Sequence, residues 1–514
     1  MFIGIGLRPT PSTSGSLIAY AANSITPQLV ADFKGGVYGK NSALSTFANV
    51  LNHTRNGNAT LVDADGLLKW APHNLFTYSE DLSGGWGFRS VDVTLGQADP
   101  DGGTGAILLS PTGADIDRVA YTLGLSDGIT RTLEFIYKPV NAPGPDFVFS
   151  VTGNTSKSQN ADVDLGDGWT LASWEVVDVG QLRITLSDDI VFYAPRLYRS
   201  DLGGMVNNPA TGNSYVPTTD AARYLPRENH HVYNGSAWVK EGYLHEPETA
   251  TNLLLNNGTL STQNVTVTAV PNTLHFTGTG TVTLSGTATD GPLVGTGTGE
   301  NNRVNLTFTP SAGTLTVTVS GTVTNAQLEV GSVPTSDIPT AGSTVTRAAD
   351  TLTLPVANIP YPTGANLAVS IGYKALVTYA DTDDAFEFEP YYWAASAAIY
   401  VRSYLSTTAG RTGQMLFVQR APDGISFAAS SQTSLGPGIN VPVSIAGRYG
   451  STFVNGAIDG TALTADTTPT EFPDLSTSDL IIAPSGGPQV IQEFIMWGGT
   501  TGDIGDTGIE ETSA

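Results

Sequence analysis

Thr314-Leu-Thr-Val-Thr-Val-Ser320 alternates hydroxyl and apolar side chains with a period of two. Successive side chains of an extended chain point to opposite faces, so this stretch has one apolar and one polar face and reads as a half-buried antiparallel strand. The same alternation recurs in Val265-Thr-Val-Thr268 and Thr281-Val-Thr-Leu-Ser285. Turn signals separate such runs, among them Asp101-Gly102-Gly103, Gly278-Thr-Gly280 and Pro437-Gly438. No amphipathic helix longer than about three turns is legible. The expectation is an all-β, multidomain chain of tandem antiparallel β-sandwiches, jelly-roll-like in character.

Composition supports this reading. The 514 residues suffice for about three cores at roughly 150 residues each. Charged residues make up 14%, against about 25% in an average domain, so the surface must be built from Thr, Ser, Asn and Gly. The absence of cysteine excludes disulfides, thiolate metal sites and a cysteine nucleophile. A formal charge of −24 repels nucleic acid and anionic lipid, so neither a nucleic-acid partner nor membrane insertion is expected. Residues 1–6 are apolar but lack the basic flank and cleavage site of a secretory signal, and no run approaches bilayer-spanning length.

An internal repeat organises the middle of the chain. His73-Asn74-Leu75-Phe76 followed by Leu82-Ser83 matches Thr251-Asn252-Leu253-Leu254 followed by Leu260-Ser261. The first copy closes with Ala194-Pro-Arg-Leu197, Ser214-Tyr-Val-Pro-Thr218 and Arg223. The second closes with Ala326-Gln-Leu-Glu329, Ser336-Asp-Ile-Pro-Thr340 and Arg347. Order and content match, so two related modules are expected, the first with longer loops or extra strands.

These residues resemble the tandem carbohydrate-binding-like β-sandwich modules of tailed-phage virion proteins, including tail fibres. Such modules open with a stretch like Asn74-Leu-Phe-Thr-Tyr-Ser-Glu-Asp-Leu82 and continue with a turn like Pro100-Asp-Gly-Gly-Thr104 and a mid-module Asp167-Gly168-Trp169. They close with a Gln-Leu-Glu strand, here Gln327-Leu-Glu329, then Ile338-Pro-Thr340 and Thr346-Arg-Ala-Ala-Asp350. The resemblance covers about residues 50–350. In the second module Asn256-Asn257-Gly258 replaces Ser-Glu-Asp, and no Gly-Trp appears. Beyond it, Val443-Ser-Ile-Ala-Gly-Arg-Tyr449, Thr452-Phe-Val-Asn-Gly456 and Val490-Ile-Gln-Glu-Phe-Ile-Met-Trp497 are similar to the closing strands of a laminin-G or concanavalin-A-like jelly roll. Val-Asn-Gly reads there as a hairpin turn.

The expected organisation is an N-terminal virion-attachment segment (1–50), a leader (51–73), module 1 (74–228), a linker (229–251), module 2 (252–355) and a jelly roll (356–514). The first segment is too small for a core of its own and is expected to fold against other virion proteins or copies of itself.

Sugar recognition needs flat apolar rings flanked by hydrogen-bonding groups. Trp86, in a Gly-rich loop, and Tyr391, Tyr392 and Trp393 are the glycan-binding candidates; Trp169, Trp174 and Trp497 read as core. Asp381, Asp383 and Asp384 form an acidic cluster that could hold calcium, which takes several oxygen ligands; no other cofactor is implied. Asp162, Asp164 and Asp167 read as an ordinary acidic turn. Glu387 and Glu389 alternate with Phe386 and Phe388, which puts both carboxylates on one strand face and both rings in the core. Paired carboxylates serve glycoside hydrolases, but the fuller acidic pattern of hydrolases with this fold is missing. His230-His231 reads as a surface loop, and no nucleophile elbow or phosphate loop is present.

A non-enzymatic virion-surface protein that recognises host-surface glycan is therefore expected. A tail fibre or receptor-binding protein is the first form, a head fibre or decoration protein the alternative, and a depolymerase the rival of another class. A homotrimer would multiply weak sugar contacts, and its natural contact is 259–289, which holds no Asp, Glu, Lys or Arg.

Overall fold

The computed structural model describes residues 17–113, 118–141, 147–152, 157–159, 162–431 and 434–514. The apolar start at residues 1–6 lies outside them. The described chain is almost entirely antiparallel β. It divides into two compact units, one holding Lys69–Leu225 and the other holding the residues up to Leu68 together with Pro226–Ala514.

The first unit is a sandwich. Trp169–Val177, Thr130–Pro139, Ile190–Arg199, Ala106–Pro111 and Val91–Gln97 lie side by side in one sheet. Phe147–Thr152, Gln181–Leu186, Arg118–Thr122 and Trp86–Arg89 form the other. Inward side chains at every second position, such as Leu133, Phe135 and Tyr137, fill the space between them. Trp174 belongs to this core, and Trp169 is buried in a smaller cluster with Ala106 and Ile136.

The second unit contains a smaller sandwich with the same closing logic. Its sheets are Gln263–Val267, Gly313–Ser320, Thr281–Gly286 and Leu293–Val294, against Val304–Phe308, Asn272–Gly278 and Val323–Val330. The repeat has a physical basis in one buried asparagine per module. Asn74 donates to the carbonyls of Pro195 and Val216 and accepts from the amides of Phe76 and Leu197. Asn252 donates to Ala326 and Ile338 and accepts from Leu254 and Leu328. Each amide thus ties the opening strand to the closing strand and to the Pro-Thr segment. Thr218 exchanges two hydrogen bonds with Ser79, and Thr340 exchanges the equivalent two with Asn257.

The remaining sandwich overturns the expected division at both ends and in the linkers. Its first sheet runs Ala43–Ser45, Val37–Lys40, Leu29–Asp32, Gln489–Trp497, Ala368–Tyr379, Gly438–Gly450 and Val454–Ile458. Leu29–Asp32 pairs with one end of Gln489–Trp497, and Trp238–His245 continues along the same edge. Its second sheet runs Gly424–Ala429, Gln414–Ala421, Ile399–Ser406, Phe388–Ser396, Leu480–Ser485, Thr351–Leu354 and Asn52–Thr54. Strands from the attachment segment (Leu29–Asp32, Val37–Lys40 and Ala43–Ser45), the leader (Asn52–Thr54) and the linker (Trp238–His245) therefore belong to the C-terminal jelly roll. Phe33, Tyr38 and Tyr243 share one core with Tyr391, Trp393 and Phe494. The expectation that the 1–50 segment has no core within its own chain is corrected for 17–50: Leu17, Leu29, Val30, Ala31, Phe33 and Tyr38 are buried in the jelly roll's cores, while Ile18 is exposed.

Two local expectations also change. Val454-Asn455-Gly456 lies inside a strand, and the turn precedes it. A Cβ on Gly456 would stand 2.1 Å from the Phe417 ring, so Gly is needed there for close approach. His230 is buried on the Arg227–Tyr233 strand, where its Nδ1 accepts from the Val62 amide.

Module 2 joins the jelly roll through buried charge. Arg227 bridges Glu246 and Asp350; Arg55 reaches Asp350 at 2.8 Å, and Arg347 reaches Glu246 at 3.1 Å. His53 lies 3.2 Å from Asp350, and Ser336 of the module donates to Glu246. A second group follows, with Arg303 paired to Glu300 and Asp337 while His275 sits between Glu329 and Asp337. Buried charges persist only when paired and hydrogen-bonded, so this network fixes which segments meet.

Candidate functional site

The two faces of the jelly roll differ. The outer side of the first sheet is covered by the Gly505–Ser513 helix and the segment starting at Leu17, which bury Trp497, Ile495 and Ala446. The outer side of the second sheet carries rings. In Ile399–Ser406, Val401, Ser403 and Leu405 are buried, so Tyr400, Arg402 and Tyr404 point outward. Directly paired residues share a face, and the register Phe427–Val418–Arg402–Tyr392–Ile481 sets one continuous row across five strands.

Arg402 is the hub of this face. Its guanidinium carbon lies 4.0 Å from the Phe386 ring centroid, 4.8 Å from Tyr404, 5.2 Å from Tyr392 and 5.8 Å from Tyr400. Phe386 and Tyr404 meet edge to face at 4.7 Å. Cation–π contacts hold a ring array in place without covering both faces of each ring. Arg402 also pairs with Glu389 at 2.5 Å, and Ser485 donates to the other oxygen of that carboxylate. Burial nevertheless raises the Glu389 pKa, with Arg402 pulling the other way. The apolar patch continues toward the sheet edge, where Ile425 is 54% and Phe427 50% exposed.

Of the four ring candidates, one is on this face. Tyr391 and Trp393 point inward and are fully buried: the Tyr391 hydroxyl meets that of Tyr449 at 2.9 Å, and the Trp393 indole donates to the Ser478 carbonyl. Alternation from Tyr391 onward, after a register shift that follows Phe388, leaves Tyr392 outside. Trp86 is corrected from loop to core. It opens the Trp86–Arg89 strand, donates to the Thr77 carbonyl and packs on Phe76 and Tyr121. Neither Trp86, Tyr391 nor Trp393 has a free face for a sugar.

Phe386 is likewise corrected. It precedes the strand, is 43% exposed and belongs to the outer array. Glu387 accepts from Thr382 and Thr407, and burial raises its pKa. The calcium expectation at Asp381, Asp383 and Asp384 is also corrected. Asp384 caps the amide of Phe386, Asp383 takes a left-handed φ of 64°, and among the described residues no three acidic or histidine side chains converge to hold a metal. Sequence reasoning missed Tyr400, Arg402, Tyr404 and Phe386, although the period-two pattern of Ile399-Tyr-Val-Arg-Ser-Tyr-Leu405 marks the first three as one face.

No protein-family model and no curated protein matches the chain. Solved structures give weak likenesses. The binding domain of botulinum neurotoxin serotype D is 9% identical over 32% of this chain and 40% of its own, with a TM-score of 0.25. Domain 4 of AbnA, a GH43 extracellular arabinanase from Geobacillus stearothermophilus in complex with arabinotriose, is 11% identical over 36% of this chain and 82% of its own, with a TM-score of 0.24.

Proposed function

We propose that this protein is a non-enzymatic structural component displayed on the surface of a phage-type particle, and that it holds host-surface polysaccharide against the outer face of its jelly roll. A tail fibre or receptor-binding protein is the form proposed. The observation that carries the binding half is the array of Phe386, Tyr392, Tyr400 and Tyr404 around Arg402. Rings fixed on a rigid sheet offer stacking surface at little ordering cost, with Arg402 as a polar group at the centre and Arg420, paired in register with Tyr400, beside it. The virion half rests on the resemblance of the Asn74 and Asn252 modules.

Binding is favoured over cleavage by the state of the two glutamates. Glu389 is engaged by Arg402 and Ser485, and Glu387 by two threonine hydroxyls, so neither stands as a free acid or base opposite the other. The test is retention of the chain on immobilised host-cell polysaccharide. The double variant Tyr400→Ala/Tyr404→Ala should lose at least tenfold in retention while keeping the wild-type unfolding curve. Unchanged retention, or release of reducing ends by the wild type, would overturn the reading. Immunogold labelling of intact particles locates the protein on the tail or the head.

A further inference from the structure

A second candidate site is a cleft of about 290 Å³ where module 2 meets the jelly roll, lined by none of the array's rings. One wall is Asn305, Thr307, Ser332, Val333 and Pro334; the other is Tyr379, Asp381, Pro437 and Ile439. Asn305 and Asp381 are exposed, and among the described residues no hydrogen bond engages the Asn305 side-chain amide. The Asp381 carboxylate has one weak internal contact, 3.4 Å from the Asp383 amide. Ile439 is 51% exposed. Tyr379 is 2% exposed, and its hydroxyl finds no partner among the described residues. Burial and the nearby Glu387 and Asp381 hold that phenol protonated, so it is an orphan donor at the cleft wall. A buried polar group without a partner calls for one.

We infer that this cleft binds a single uncharged hexose unit, a second saccharide contact separate from the aromatic face; the inference rests on the glycan-binding reading above. A carboxylate and a primary amide are both two-pronged, one accepting and the other donating and accepting, and such groups match the adjacent hydroxyls of a pyranose. Ile439, Val333 and the two prolines provide the apolar flank for its C–H face. The volume lies at the small end of ligand clefts, enough for one ring and not for a chain. A site built from both walls would also hold module 2 against the jelly roll.

The test uses the full chain and ligand-observed saturation-transfer NMR with methyl α-glucoside, methyl α-galactoside, methyl α-mannoside and N-acetylglucosamine as probes. At least one probe should show saturation transfer, and Asn305→Ala/Asp381→Ala should reduce it at least fivefold. Both residues are exposed, so an unchanged thermal unfolding curve should accompany the loss. Absence of signal for all four probes, or a signal the double variant leaves intact, overturns the cleft. The aromatic face is scored separately by polysaccharide retention of the Tyr400→Ala/Tyr404→Ala variant, so either site can fail alone.

Discussion

Asn252 makes four hydrogen bonds with one side chain, to groups from three segments of its module. No other residue type of that size offers two donors and a two-fold acceptor; aspartate would place a negative charge against two carbonyls. Truncation removes this partner from the Ala326 carbonyl and the Leu254 and Leu328 amides and leaves the Ile338 carbonyl only a long contact from the Asn257 amide, in a fully buried site, each orphaned group costing about 1–3 kcal/mol. Asn252→Ala should therefore destabilise the chain by at least about 3 kcal/mol, read from the urea midpoint of the transition that includes module 2. A loss under about 1 kcal/mol would show that water or relaxation replaces the amide. The matching network around Asn74 explains why the Asn-Leu opening could be recognised from sequence. One position with an irreplaceable hydrogen-bonding role leaves a trace even where strand lengths diverge.

Strands were legible wherever one face is apolar and the other hydroxyl-rich, as in Gly313–Ser320. Their partners were not. Leu29–Asp32 pairs with Gln489–Trp497 across more than 450 residues, and period-two alternation identifies a strand without naming its neighbour. The candidate site shows the same limit. Tyr391-Tyr392-Trp393 announces rings, but a register shift between Phe388 and Tyr391 breaks the period-two phase and turns Tyr391 and Trp393 to the same inner side as Phe388, and Phe386 loses its expected place because the strand begins after it. The buried ion network was invisible for a related reason: Arg55 and Asp350 are 295 positions apart. The N-terminal strands allow a direct check. A chain lacking residues 1–45 loses Phe33 and Tyr38 from the core and bares one edge of Gln489–Trp497. It should appear in the insoluble fraction or melt at least 10 °C lower by calorimetry. A soluble product with the wild-type melt would mean the sandwich closes without them.

Four of the six histidines, His53, His230, His245 and His275, are buried in or beside the charged network of the second unit. Burial is the leading cause in each case and lowers the pKa from 6.5, to about 3 for His230 and about 4 for His245. With folded values depressed, the unfolded chain takes up more protons, so their stabilisation is full above pH 6.5 and falls as pH drops toward those values. Glu228 and Glu493, raised by burial to about 7, act in the opposite sense and strengthen the fold as pH falls from 7 to 4.5. Asp337, Glu387 and Glu389 are raised by burial as well, so the histidine contribution is read as a difference between variants, at most about 1.4 kcal/mol per proton per pH unit. Urea unfolding of the wild type and of His245→Gln at pH 7, 6 and 5 should show the wild type losing stability relative to the variant as pH falls, by roughly one proton's worth; a difference that does not change with pH would contradict the assignment. The pairing of Leu29–Asp32 with Gln489–Trp497 also has a consequence for synthesis. On the ribosome, Leu29–Asp32 emerges hundreds of residues before its partner, and the jelly roll cannot close until Gln489–Trp497 has been made. Each module, whose opening and closing strands are its own, can fold during that interval. A stop codon shortly before Gln489 would thus release a chain with finished modules and an open sandwich, a substrate for proteolysis.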